Sequence, residues 1–147
     1  MSLGITEEVF FQLAGHDGSE IIFPQPEPRC RRAFHVSEAI YVAMRLGFSA
    51  TQFDLCPSIT DRDRSKEVLV LYGEFQSEDW NRQIFDSLIL TTAGVAECRT
   101  SQGNGHAVAY ERGRIFDPDG REFPYSVADC EARHLYINRL WRIEKTL

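Results

Sequence analysis

Cysteine, histidine and aspartate are the side chains that together run acyl transfer through a thiol. Two of them share one short segment here, GNGHAVAYERGRIFDPDGREF at residues 103–123. His106 opens an apolar run, Arg112 and Gly113 interrupt it, and a second run ends at Asp117, Pro118, Asp119 and Gly120. A two-residue turn at Arg112 and Gly113 would pair Glu111 with Arg114, Tyr110 with Ile115, Val108 with Asp117 and His106 with Asp119. Alternate residues share a strand face, so His106, Val108, Tyr110, Ile115, Asp117 and Asp119 would all point to one side. Asp119 then lies opposite His106. Asp117 lies diagonal to it, roughly 7 Å away between Cα atoms, a gap that a carboxylate side chain largely spans. A four-residue loop keeps this arrangement, whereas a three-residue loop turns Asp117 to the other face. Asp119 precedes Gly120 and is accounted for as a turn residue. Asp117 stands ahead of the rigid Pro118 and behind Phe116, which would help exclude water, and the geometry permits its pairing with His106 without fixing it.

A thiol nucleophile needs its thiolate favoured, and a helix N-terminus with nearby cations supplies that. Of Cys30, Cys56, Cys98 and Cys130, only Cys30 falls at or just before a helix start in this reading, and Arg29, Arg31 and Arg32 surround it. Cys56 precedes Pro57, Cys98 lies in a strand or loop, and Cys130 sits within a short helix. Those three read as small apolar fillers. None of the four is spaced for zinc by a CxxC or HxxxH pair; Cys130 and His134, four apart on a helix, are the nearest approach to one. No metal and no cofactor is expected, and the thiols are taken as free.

The elements that must position these residues follow from periodicity. Residues 9–13 and 20–23 are apolar runs around AGHDGS and read as a hairpin or two short strands. Pro24, Pro26 and Pro28 forbid a helix there and hold the chain extended. Ala33, Val36, Ile40, Ala43, Met44 and Gly47 recur at helical spacing, so a helix begins between Cys30 and Ser37 and stops at Gly47. FSATQFDL and EVLVLYGEF are strand candidates, with the charged loop TDRDRSK between them. Ser77 caps a second helix in which Trp80, Ile84, Phe85 and Leu88 share a face. GVAEC is a further strand, residues 126–133 a short helix, and LYINRLWRIEK a closing strand. Trp80 and Trp141 are assigned to the core. Mixed element order with strands concentrated in the second half gives an α+β class.

The chain of 147 residues is long enough for one domain with a sizeable core. Hydrophobic residues at 43% and charged residues at 26% suit a soluble globular protein. A net charge of -6 spread along the chain disfavours nucleic acid and acidic membrane surfaces as partners. No apolar run spans a bilayer, and MSLGITEEVFFQLAG lacks the basic start and apolar core of a secretory signal. A cytoplasmic location is expected, with export by a route that uses no cleavable signal left open. GNGHAV lacks phosphate-loop spacing and precedes a strand instead of a helix.

The order Cys30, His106, Asp117 resembles the papain-like superfamily of cysteine peptidases, which place cysteine at a helix N-terminus, histidine at a strand start and Asn or Asp on the next strand. GHAVAYERGRIFDPDGREF looks like the corresponding segment of bacterial effector cysteine proteases and of bacteriocin-processing peptidases. CRRAFHVSEAIYVAMRLGFSA is similar to the cysteine-headed helix of transglutaminase-like and arylamine acetyltransferase relatives. The resemblance covers residues 30–47 and 105–123. It implies one papain-like domain over 1–147, with a cysteine-bearing helix packed on an antiparallel sheet. It further implies Cys30 as nucleophile, His106 as general base and acid, Asp117 as orienting residue, and Gln25, five before Cys30, at the oxyanion hole. The expected activity is hydrolysis of a peptide, isopeptide or other amide bond in a peptide or protein substrate. A transglutaminase-type acyl transferase and an inactive binding module on the same scaffold are the alternatives. Specificity would come from loops at residues 59–67 and 100–105.

Overall fold

The computed structural model describes residues 4–54, 78–101 and 105–146, and side chains within 78–81 lie outside the description. The expected strand EVLVLYGEF, the loop TDRDRSK, Ser77 and Cys56 fall outside it as well. The chain divides into two compact units, Ser2–Ala50 with Lys145–Leu147, and Thr51–Glu144. The class is α+β.

In the unit Ser2–Ala50, helix α1 covers Glu7–Ala14. The expected hairpin is therefore a helix over its first run. Local signals explain it: Thr6 caps the N-terminus by accepting from the Val9 N–H, Glu7 and Glu8 complement the first turn, and Gly15 ends the helix at φ 84°. The second run forms only an isolated bridge between Ile21 and Arg31. The proline segment is not helical, but it bends instead of extending, with the Gln25 N–H donating to the Phe23 carbonyl and that of Arg31 to the Pro28 carbonyl. Helix α2 covers Val36–Arg45, inside the expected limits, and Gly47 follows at φ 83°. Its buried side, Ile40, Val42 and Ala43, together with Cys30, forms the interior of this unit.

Six strands among the described residues form one sheet: β1 Phe48–Asp54, β2 Ala93–Arg99, β3 Gly105–Glu111, β4 Arg114–Phe116, β5 Glu122–Pro124 and β6 Tyr136–Lys145. Among the described residues their order is β1-β6-β2-β3-β4-β5. The β2–β3, β2–β6, β3–β4 and β4–β5 pairs are antiparallel. Helix α3, Glu78–Thr91, and helix α4, Val127–Ala132 capped by Ser126, complete the elements among the described residues. None of these helices is long and apolar enough to cross a membrane.

One face of the sheet carries the core: Ala96, Cys98, Val108, Tyr110, Ile115, Phe123 and Leu140 are buried with Phe85 and Ile89 of α3. Strand alternation produces that face directly. Trp141 belongs to the other face, half-buried, and its Nε1–H donates to Glu97 Oε1 at 2.6 Å, so it is not a core residue as expected. Arg112 and Gly113 both have positive φ, 45° and 81°, which is the two-residue turn that matches strand twist. That turn also closes α3, because the Arg112 and Gly113 N–H groups donate to the Thr92 and Ile89 carbonyls at 2.8 Å each. The hairpin is thereby fixed in register and position together.

Among the described glycines of the unit Thr51–Glu144, Gly94 is the one approached most closely. A Cβ there would overlap the Trp141 carbonyl oxygen on β6 and lie 3.1 Å from Tyr110 Oη. Backbone cannot yield as a flexible side chain does, so Gly94→Ala should separate β2 from β6. We expect a loss of more than about 2 kcal/mol in chemical denaturation, with Gly105→Ala, where a Cβ meets open space, as the tolerated control.

Candidate functional site

The β3–β4 register is Glu111 with Arg114, Tyr110 with Ile115 and Ala109 with Phe116. Beyond Phe116 the strand leaves β3, and the Asp117 N–H turns to the Arg121 carbonyl at 2.8 Å. This closes a second hairpin, β4 to β5, across the loop at residues 117–121. The Gly120 N–H donates to the Asp117 carbonyl at 3.0 Å, and Gly120 has φ 86°. The turn function assigned to Asp119 is therefore real. Phe116 pairs with Ala109, on the strand face opposite the core.

His106 and Asp117 are brought together. His106 Nε2 lies 3.0 Å from Asp117 Oδ1. The Asp117 side chain is 1% exposed and that of His106 32%, so the carboxylate is enclosed while the ring reaches solvent. Asp117 Oδ1 also accepts from the Asp119 N–H at 3.4 Å, and Oδ2 lies 3.4 Å from Arg121 Nη2. A buried carboxylate is tolerable when donors surround it, and here three do. The reading from sequence identified the pair but missed Arg121; its signal is the spacing of a cation four residues after Asp117 across a DPDG turn.

Cys98 is the direct cross-strand partner of His106. Its Sγ is directed to the Ala96 carbonyl at 3.8 Å. Burial pushes the Cys98 thiol from 9.0 up to about 12, with Cys130, Asp117 and Glu97 adding repulsion. Burial likewise raises Cys130 to about 11, the charge of Asp129 adding to it. Both are neutral packing groups at ordinary pH. The Cys130–His134 spacing makes no helical pair, since α4 ends at Ala132 and His134 adopts φ 56°. No group of three or more potential metal ligands occurs among the described residues.

Cys30 lies in the other unit, and its local setting differs from expectation. It is 2% exposed and sits in a turn, with its carbonyl accepting from the Ile22 N–H at 2.9 Å and the Phe23 N–H at 3.4 Å. Helix α2 begins only at Val36 with His35 as its N-cap, so no helix N-terminus begins at Cys30 and α2 carries no cysteine. That N-terminus is occupied by Glu38, whose Oε2 accepts from the His35 N–H at 2.9 Å. This bond, followed by the one from His16, holds the Glu38 carboxyl below the usual carboxylate range. Two of the flanking cations are engaged: Arg31 Nη2 lies 2.7 Å from Glu27 Oε2, and Arg32 faces Glu20 at 3.5 Å and Glu38 at 3.4 Å. Gln25 is exposed. The expected specificity loop at 59–67 and residues 102–104 of the other lie outside the described residues.

The raised thiols give a pH-dependent expectation. A group whose folded pKa exceeds its unfolded value contributes stability that is intact below the unfolded value and lost as pH rises through the folded one. Cys98 should therefore cost the protein stability as pH climbs from 9.0 to about 12, an effect absent in Cys98→Ala when the two denaturation series are compared. At about pH 8, iodoacetamide should leave Cys98 and Cys130 unlabelled until the protein is unfolded.

Compared with known proteins, the chain matches no family model, no curated protein and no solved structure.

Proposed function

We propose that this protein is a papain-like thiol hydrolase that cleaves a peptide, isopeptide or other amide bond through Cys30, His106 and Asp117. The observation that carries the reading is the bond of 3.0 Å between a solvent-reaching His106 and an enclosed Asp117. A neutral imidazole whose Nε2–H is given to a carboxylate leaves Nδ1 as a proton acceptor. His106 takes the proton of the Cys30 thiol, and the thiolate adds to the substrate carbonyl carbon. Gln25 is the side chain assigned to the resulting oxyanion. Collapse of the adduct breaks the C–N bond, and His106 returns its proton to the departing amine. Water, deprotonated by His106, then releases the acid and restores the thiol. The Asp117 carboxylate stabilises the imidazolium. An added amine that competes with water for the acyl group would mark transfer instead of hydrolysis.

The burial of Cys30 and its place six residues before Val36 favour a second reading, a non-catalytic binding module that keeps the His–Asp pair as a structural element. Alkylation separates the two. For a hydrolase, Cys30 in the folded protein reacts with iodoacetamide at about pH 6.5 at least tenfold faster than in the unfolded chain, and His106→Ala abolishes the excess. Protection of Cys30 in both proteins, read by peptide mass spectrometry, selects the binding module.

A further inference from the structure

The His106–Asp117 pair is only half of the arrangement around that carboxylate. Asp117 Oδ1 receives the ring Nε2, and Asp117 Oδ2 receives Arg121 Nη2 at 3.4 Å. Arg121 is itself held at several points. Its Nε is paired with Asp119 Oδ2, its N–H donates to Asp119 Oδ1 at 3.1 Å, and its carbonyl accepts the Asp117 N–H at 2.8 Å. The loop thus ties the guanidinium to the same turn that presents the carboxylate. A carboxylate gripped at both oxygens cannot rotate about its Cβ–Cγ bond without losing a donor.

We propose that Arg121 is a positioning residue that sets the plane of the Asp117 carboxylate and thereby locks His106 in the Nε2–H tautomer, with Nδ1 as the reacting nitrogen. The step from carboxylate to tautomer is a matter of counting protons. A neutral imidazole carries one N–H, an ionised carboxylate only accepts, and so the nitrogen facing Asp117 must be the protonated one. The neighbouring thiol does not compete for the free nitrogen, because Cys98 Sγ is directed to the Ala96 carbonyl. Lysine would keep the charge but not the planar fork that reaches Asp117 and Asp119 together. The catalytic consequence rests on the hydrolase reading above, whereas the tautomer does not.

Long-range proton–nitrogen correlation spectra of the His106 ring, taken at a pH where the imidazole is neutral, test the assignment. In the wild-type protein Nε2 should carry the proton and Nδ1 should show the signature of an unprotonated ring nitrogen. Arg121→Gln should bring in the Nδ1–H tautomer, while Arg121→Lys and Asp119→Asn, which loosens the guanidinium, should give intermediate populations. The backbone amide spectrum of each variant shows that it is folded, and the two milder variants serve if Arg121→Gln is not. An unchanged ring spectrum in Arg121→Gln, or a wild-type ring protonated at Nδ1, overturns the proposal. A tautomer shift with Cys30 alkylation unaltered upholds Arg121 as a positioning residue and defeats the hydrolase reading; an accompanying fall of about tenfold in that rate joins the two.

Discussion

Enclosing the Asp117 carboxylate beside an apolar core is the constraint on which the rest of the site depends. Its side chain is 1% exposed, and an ionised group so placed is tolerated only when donors replace the lost water. Those donors come from different parts of the chain: the His106 ring from β3, the Asp119 N–H from the adjoining turn, and the Arg121 guanidinium beyond it. Each requires its own piece of backbone to be correct. The two-residue turn at Arg112 and Gly113 sets the register that places Asp117 on the side of His106, and an insertion of one residue would send it to the opposite face. The turn at Gly120 brings Arg121 back. Helix α3 in turn receives the hairpin at its C-terminal carbonyls, which joins site geometry to core packing.

Much of this was legible in the sequence because its causes are local. Arg112-Gly113 announces a tight turn, and the pairs Glu111 with Arg114 and Tyr110 with Ile115 follow by counting. The end of α2 shortly before Gly47, the cap of α4 at Ser126 and the strand β6 are similarly written into neighbouring residues. Helix α1 misled because VFFQL is dense in apolar side chains and lacks clear helical spacing. Its caps, Thr6 and Gly15, carry the decisive signal. The strand β5 escaped notice since three residues, Glu122–Pro124, have no periodicity to read.

Cys30 shows where local reading ends. The expectation that it heads a helix came from the onset of helical spacing at Ala33. Ala33 instead takes φ 52° and donates its N–H to the Gly18 carbonyl, while Ile21 bridges Arg31. These contacts delay the helix to Val36. They join residues far apart along the chain, and no pattern within residues 28–37 encodes them. Arg121 is a comparable case: its role arises from the closure of the β4–β5 hairpin. Cys98 and Cys130 are made inert by core packing, and the chemistry proposed here rests on Cys30.

The most direct measurement is a burst of p-nitrophenol on mixing the protein with p-nitrophenyl acetate, followed by peptide mass spectrometry to locate the acetyl group. The expected result is a burst approaching one equivalent, with the acetyl group on Cys30, slowed by about a hundredfold or more in His106→Ala. The contradicting result is release no greater than that of Cys30→Ala, or acetylation whose site and rate are indifferent to His106.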